Sequence, residues 1–490
     1  MYVCACGGNE EGGGGGRRTP ADGGCVMSVQ PPFSPLFFFL ICFCFCFIAT
    51  FVFNFFRYHT EMDNCSREIR VLLLRLCSIW GFIIGSWAVL QVATPLVLKD
   101  IVGKDVAPTW QGLFSATTAV SGMIFCALTG HFSDRIGRLE FLTPWVIFFF
   151  FTTILVVFSD VTGSIYMLWV ARVAAISIPS TIIHAFLSDY LSGNALLEAF
   201  GYVGATFGTS MLTSSLLCGL ISRYYSRVAA LTFGSFLAAV GAILTFALKP
   251  PSKLRLNSPT AFDTEGTNLF HSAGGVMNSL RIISSDALLR NLICAMALLR
   301  VGNVNTHMML VLFVDFRLGW GLPQMSVLAG FSAFLTVLFQ LIGVRFLISS
   351  DIVLPVLFVL LAVVPIVAMG YALVMTGAQM YLISILTSMM TISSTICNAK
   401  ITAIASENGV AGLALGCVGT LQNILEVFAS LFLGRLLSWS FENHPRTHVL
   451  SGLPFIVNGA FLALVVIIVL YSHKRHGAGR VSWIEGVHTG

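Results

Sequence analysis

The sequence predicts an all-α polytopic membrane protein with twelve transmembrane helices in two six-helix bundles. Only 10% of the 490 residues are charged, whereas a soluble protein carries roughly 25%. Apolar residues make up 56% of the chain, and the mean hydropathy is +0.88. So few charges cannot cover a water-soluble surface of this size. Apolar stretches of about 20 residues, the length that crosses a bilayer as a helix, recur along the chain.

Charge and cysteine content exclude several classes of protein. The net charge of +5 is too sparse and scattered to indicate a nucleic-acid binder. The thirteen cysteines show neither a CxxC pair nor a Cys/His spacing typical of a metal site, so we expect buried thiols and no metal or cofactor. The motifs HExxH, GxSxG and GxxxxGK[ST] do not occur, which argues against an enzyme and against an ATP-driven pump.

Residues 1–69 form an extension ahead of the first well-formed span. Residues 1–34 contain a run of glycines and no hydrophobic periodicity, which predicts disorder. Residues 35–56 are apolar over a length that can cross a bilayer, which predicts an additional N-terminal hydrophobic helix. The alternative is translated leader sequence ahead of a start at Met62, and both interpretations stay open.

Apolar run lengths and polar loops place the twelve spans. We expect them at residues 71–96, 110–131, 140–159, 165–187, 201–222 and 229–248, and then at 291–314, 325–347, 352–373, 378–399, 412–433 and 452–472. The polar linker 249–290 separates an N-terminal bundle, 70–248, from a C-terminal bundle, 291–472, which is followed by a tail, 473–490. Six plus six spans about a linker are typical of duplicated bundles with a binding site between them.

The positions of lysine and arginine predict that the linker and the tail are cytoplasmic. Fifteen basic residues fall on the side of the linker and seven on the other side. The protein is therefore expected to be an integral multi-pass protein, of the plasma membrane or of an organelle.

Residues 130–138, GHFSDRIGR, form the short connection between the second and third spans. An acid and two arginines in such a loop can form ion pairs at the helix ends. The pattern resembles motif A of the major facilitator superfamily, although Leu139 stands where the family has a further basic residue. The matching residues are Gly130, Asp134, Arg135, Gly137 and Arg138. The resemblance implies a gating role, in which the aspartate and the arginines hold the cytoplasmic face closed.

The resemblance covers roughly residues 70–470. Within the family, the chain is similar in look to the tetracycline/proton antiporter-like and proton-coupled folate transporter-like branches. Arg172 in the fourth span matches the arginine of the family's motif B, with Ile176 where the motif has glycine. In the fifth span, Ser214 and Ser215 replace the Gly-Pro pair of antiporters. The family has two bundles of six helices and moves small solutes, which implies the same for this chain.

Ionisable residues inside the predicted spans are candidates for the functional site. A charge in the membrane costs at least about 2.5–3.5 kcal/mol, so it usually faces a partner or a cavity. Arg300, Asn303 and His307 recur at i, i+3 and i+7, within about 60° of one helix face. The interpretation as a cavity lining competes with a polar helix contact that has no role in solute binding. The predicted substrate-binding residues are Arg172, Arg300, Asn303, His307 and Gln422.

Glu426 is the main candidate for proton coupling. It shares a helix face with Gln422 and Ser430, at spacings of four. A carboxyl group among apolar residues holds a proton more readily than one in water, which is the property that coupling needs. The alternative is a structural ion pair with Arg300 or Arg172. His184, one turn from Ser180, is a second candidate for coupling.

The tenth span is rich in hydroxyl side chains, which allow close helix packing and can bond to carbonyls of their own helix. We interpret this span as a gating helix that slides, and not as a binding site. Its hydroxyl residues are Ser384, Thr387, Ser388, Thr391, Ser393, Ser394 and Thr395.

The leading hypothesis is a secondary active transporter that moves a small organic solute by alternating access, coupled to protons. The expected partners are the solute, protons and membrane lipid, with no nucleic acid, and the chain is expected to act as a monomer. The alternative is a non-transporting membrane receptor or scaffold that keeps the transporter fold.

Overall fold

The computed structural model describes residues 67–136, 138–174, 183, 187, 193–246, 287–304, 309–340, 353–407 and 411–476. In the first half of the chain the helices are α1 (Arg67–Val102), α2 (Ala107–Ile136), α3 (Arg138–Thr162), α4 (Ile165–Ala174), α5 (Gly193–Tyr224) and α6 (Arg227–Thr245). In the second half they are α7 (Ala287–Val304), α8 (Leu310–Leu318), α9 (Leu322–Leu338), α10 (Val353–Gly370), α11 (Gly377–Glu407), α12 (Ala411–Asn443) and α13 (Leu453–His476).

These helices overlap all twelve predicted spans, which confirms an all-α polytopic membrane protein. α7 and α8 share one predicted span, 291–314, and residues 305–308 between them lie outside the described part. Within the described residues, six helices are long and apolar enough to cross a bilayer. The N-terminal extension up to residue 66, most of the linker and the last fourteen residues lie outside the described part, so the count of twelve and the bundle boundaries stay predictions.

The ends of α1, α3 and α6 are joined by one arginine. Arg227 Nε donates to Asp160 Oδ2 at 3.2 Å, and the guanidinium also pairs with Asp100. The Asp160 side chain is 3% exposed, so the arginine neutralises a carboxylate that has almost no contact with water. We call this end of the helices the ion-pair end, and the end that holds residues 130–138 the motif end.

A second arginine joins the helices of the second half at the ion-pair end. Arg317 in α8 donates to Ser451 Oγ at 2.6 Å, to the His448 carbonyl at 3.1 Å and to the Ala372 carbonyl at 3.3 Å. Its guanidinium also lies over the Phe313 ring, 5.5 Å from the centroid. The short connections before α11 and α13 are thereby fixed to α8.

The two halves of the chain meet where α2 crosses α12. A Cβ on Gly112 would lie 2.4 Å from the Ser430 carbonyl oxygen, and a Cβ on Gly434 would lie 2.7 Å from the Pro108 carbonyl oxygen. Only hydrogen fits at these two positions. Small residues at a membrane-helix crossing let the backbones approach closely, and dispersion contacts then hold the helices together.

A second crossing between the halves joins α5 and α9. A Cβ on Gly219 would lie 2.8 Å from Ser326 Cβ, and a Cβ on Gly330 would lie 2.9 Å from Leu216 Cδ2. The Cys218 thiol is fully buried beside the Ser326 hydroxyl. Towards the motif end, Val337 occupies the space where Gly208 has no side chain.

The hydroxyl groups of α11 are bonded inside the protein. Ser384 donates to the Met380 carbonyl at 2.9 Å. Ser388 donates to the Ser384 carbonyl at 2.8 Å and lies 3.1 Å from the Ser332 carbonyl of α9. The described hydroxyl groups thus donate to carbonyls of the protein, and the role of the span stays a prediction.

We predict that Gly112→Ala lowers the free energy of unfolding by about 1–3 kcal/mol, because the added methyl group meets backbone that cannot rotate away. Gly419→Ala on α12 is the matched control, since nothing lies within 4 Å of its Cβ position. Thermal unfolding of the purified variants measures the effect. Equal melting temperatures for the two variants would show that the crossing is looser than described.

We predict that Arg227→Gln lowers the free energy of unfolding by roughly 1–3 kcal/mol, because the buried Asp160 carboxylate loses its charged donor. Arg223→Gln, an exposed arginine one turn earlier, is the control and should change little. The same thermal unfolding measurement applies, and a loss of similar size in both variants would contradict the structural role of Arg227.

Candidate functional site

Arg172 lies in α4 and is 7% exposed. The backbone at this position is held by α2, because Thr118 Oγ1 donates to the Arg172 carbonyl at 2.9 Å. The same hydroxyl also bonds to the Phe114 carbonyl of its own helix at 2.8 Å. Thr118 therefore fixes the arginine-bearing helix against α2, and the guanidinium is a charge that the fold keeps out of bulk water.

Glu426 lies well inside α12 and is also 7% exposed. Asn423 is buried beside it on the same helix, and Ser430 is buried one turn further on. Burying a carboxylate in a membrane helix is costly unless a cation or a proton compensates it. The position requires a partner.

The crossing of α2 and α12 brings a buried arginine to the same depth. The helices are antiparallel, with Gly434 beside Pro108 and Gly112 beside Ser430. Continuing that register by 1.5 Å per residue brings Thr118 within about one turn of Glu426. Thr118 is bonded to the Arg172 carbonyl, so a buried arginine of the first half and a buried glutamate of the second half lie at about the same depth. We call Arg172 and Glu426 the charge pair.

Gln422 connects α12 to α7. Its Nε2 donates to the Met296 carbonyl at 3.2 Å. Both helices run from the motif end to the ion-pair end, so the position one turn beyond Met296 lies level with the position one turn beyond Gln422. These two positions are Arg300 and Glu426. The backbone of α7 therefore carries its arginine at the depth of the charge pair.

Other predicted site residues are placed only in part. The backbone shows Arg300 and Asn303 in α7, while His307 and His184 lie outside the described residues. In the motif, Gly130, Asp134 and Arg135 fall in the last turns of α2, and Arg138 begins α3; Gly137 lies outside the described residues, and so do the motif's side chains. The described part of the motif therefore lies at the end of α2 and the start of α3.

Arg172 and Glu426 are buried ionisable residues of opposite sign. Two opposite charges in a low-dielectric interior stabilise each other, and loss of either charge leaves the other costly. Among the described residues, no group of three His, Cys, Asp or Glu side chains could hold a metal ion.

Sequence reasoning missed the residue that positions the Arg172 backbone. Thr118 is an ordinary polar residue in an apolar stretch, with no motif around it. Its bond to the Arg172 carbonyl joins helices that the sequence pattern does not pair.

The chain is similar to several membrane proteins of known kind. It is 24% identical over 278 residues to the class B tetracycline resistance protein of Escherichia coli, which covers 55% of this chain and 62% of that protein. It is 24% identical over 189 residues to multidrug resistance protein 1 of Bacillus subtilis, covering 37% of this chain and 46% of that protein. The matched region thus spans less than two thirds of either relative.

Solved structures share the fold at low sequence identity. The human organic anion transporter MFSD10 (TETRAN) superposes with a TM-score of 0.61 at 13% identity, covering 82% of this chain and 99% of that one. The D-xylose-proton symporter superposes with a TM-score of 0.62 at 13% identity, covering 82% of this chain and 97% of that one. The family model of the Major Facilitator Superfamily matches residues 76–430, well over half of the sequence. This chain therefore belongs to the major facilitator superfamily.

Proposed function

We propose that the protein is a secondary active transporter that moves a small organic solute across a membrane by alternating access, with a proton on Glu426 coupled to the movement. The observation that carries the proposal is that Arg172 of the first half and Glu426 of the second are both buried, at about the same depth of the crossing between α2 and α12. In a pair of this kind, protonation of the acid in one half changes how strongly the two halves attract each other.

The proposed cycle follows from the charges. With Glu426 ionised, its attraction to Arg172 holds α4 and α12 together through α2. Protonation removes that attraction, so the guanidinium becomes available to a polar or anionic group of the solute. The ionised and protonated forms of Glu426 thus favour different arrangements of the helices. Proton binding and the conformational change then influence each other, as coupling requires.

The names of the relatives agree with transport of small solutes and leave several substrates open. They include a tetracycline resistance protein, a multidrug resistance protein and a D-xylose-proton symporter. We therefore propose a small organic solute without choosing among these chemical classes. We also propose that Asp134, Arg135 and Arg138 gate the motif end, since they lie where α2 ends and α3 begins.

We predict that Glu426→Gln abolishes proton movement linked to solute uptake while downhill exchange of solute persists. The variant keeps the shape of the neutral acid but cannot release a proton. The measurement uses purified protein in liposomes that contain a pH-sensitive dye, with tetracycline, D-xylose, a nucleoside and an organic anion as the solute panel. Solute accumulation in Glu426→Gln with an unchanged pH dependence would contradict the coupling role.

Two further variants separate coupling from stability. Glu426→Gln removes the negative charge at the depth of Arg172, so its thermal stability should fall below that of the wild type. Combining it with Arg172→Gln removes both charges, so thermal stability should recover while coupling stays absent. Glu442→Gln, an exposed carboxylate at the far end of the same helix, should behave as wild type.

If no solute in the panel moves and no proton flux appears in the wild-type protein, the non-transporting receptor or scaffold gains support.

We predict that the motif end is cytoplasmic. A cysteine introduced as Ser133→Cys, in a background without other reactive cysteines, should react with a membrane-impermeant maleimide only after the cell membrane is opened. The excess of basic residues on this side is the physical reason. Gly163→Cys, in the connection at the ion-pair end, should show the opposite pattern. Labelling of Ser133→Cys in intact cells would reverse the topology.

A further inference from the structure

One ion pair joins the two halves at the ion-pair end. Lys99 Nζ in α1 lies 3.0 Å from Asp315 Oδ1 and 3.1 Å from Oδ2 in α8. The side chains are 28% and 16% exposed, so the pair is shielded from water more than a surface pair is. A second contact between the halves at this end runs from the Ser438 hydroxyl to the Asp105 carbonyl.

The lysine is carried on a rigid part of the first half. Asp100, the next residue, is paired with Arg227, which also holds the buried Asp160. The last turn of α1 is therefore fixed to α3 and α6. If Asp315 moves away, Lys99 cannot move with it unless the ion pair between Asp100 and Arg227 breaks.

The aspartate is carried on a rigid part of the second half. Arg317, two residues after Asp315, is 9% exposed and is bonded to Ser451, His448 and Ala372. The Asp315 carbonyl also accepts from the Gly319 amide at 2.9 Å, at a left-handed residue that ends α8. Neither partner of the ion pair lies on a loose loop.

We propose that Lys99 and Asp315 form an ionic latch that holds the ion-pair end closed and breaks when this end opens. The proposal rests on the alternating access proposed above, because only a cycle that opens this end has to break the pair. Each charge lies beside an arginine network within its own half. The latch can therefore break by rigid-body separation, with both networks intact and no local unfolding.

A buried cysteine provides a reporter for opening. Cys218 has no exposed surface and lies six residues before the end of α5, beside Ser326 of the other half. A maleimide can reach its thiol only when α5 and α9 separate. Reaction at Cys218 thus measures opening of the seam at this end, and it needs neither a solute nor a gradient.

The test measures the rate of maleimide reaction at Cys218 in the full chain in lipid nanodiscs, with the other cysteines replaced. We expect Lys99→Gln and Asp315→Asn to raise the rate about fivefold, the ratio that corresponds to roughly 1 kcal/mol. The charge reversal Lys99→Asp with Asp315→Lys should lower the rate again towards wild type. Lys104→Gln, an exposed lysine five residues after Lys99, is the matched control and should react at the wild-type rate.

A salt titration tests the latch without any substitution at Lys99 or Asp315. Screening should raise the rate in the otherwise native protein between 50 mM and 1 M sodium chloride, and should have no such effect in Lys99→Gln. Reaction of both single variants at the wild-type rate would overturn the proposal, as would an equal increase in Lys104→Gln.

The outcome is separable from that of the transport experiment. Faster labelling in the single variants of a protein that moves no solute and no protons would support the latch and contradict the proposed transport function. Normal coupled transport together with unchanged labelling in both single variants would contradict the latch alone.

Discussion

The close approach of α2 and α12 is the constraint on which the candidate site depends. Gly112 and Gly434 leave no room for a side chain between the two backbones, and this fixes both the distance and the register of the helices. The register then places Glu426 level with Thr118, which holds the carbonyl of Arg172. Two charges that are expensive in lipid lie at about the same depth because two residues without side chains set the crossing of α2 and α12, and α2 is bonded to the helix that carries Arg172.

The few charges of this chain are arranged by depth. Near the helix ends, Arg227 and Arg317 each hold together elements of one half, and Lys99 with Asp315 joins the halves. In the interior, Arg172 in the first half and Glu426 in the second are both buried. Contacts within a half make each half rigid, whereas contacts between halves have to be reversible in a protein that moves. The number of charges that cross between the halves is correspondingly small among the described residues.

The spans could be predicted from the sequence because lipid leaves a helix few alternatives, and apolar run length alone then places it. The buried charges could also be predicted, since Arg172 and Glu426 are unusual residue types for such stretches. The depth of Arg172 relative to Glu426 could not be predicted, because it depends on the crossing of helices that are far apart in sequence. The ion pair between Lys99 and Asp315 could not be predicted for the same reason. Each residue is an ordinary charge at a helix end, and the two are 216 residues apart.

Ser388 shows how such a protein can shift a helix without losing hydrogen bonds. Its hydroxyl lies within bonding distance of two acceptors, the Ser384 carbonyl in α11 and the Ser332 carbonyl in α9. One proton shared between two acceptors can favour either, so a small displacement of α11 along α9 exchanges one bond for another. The number of satisfied polar groups stays constant during the displacement.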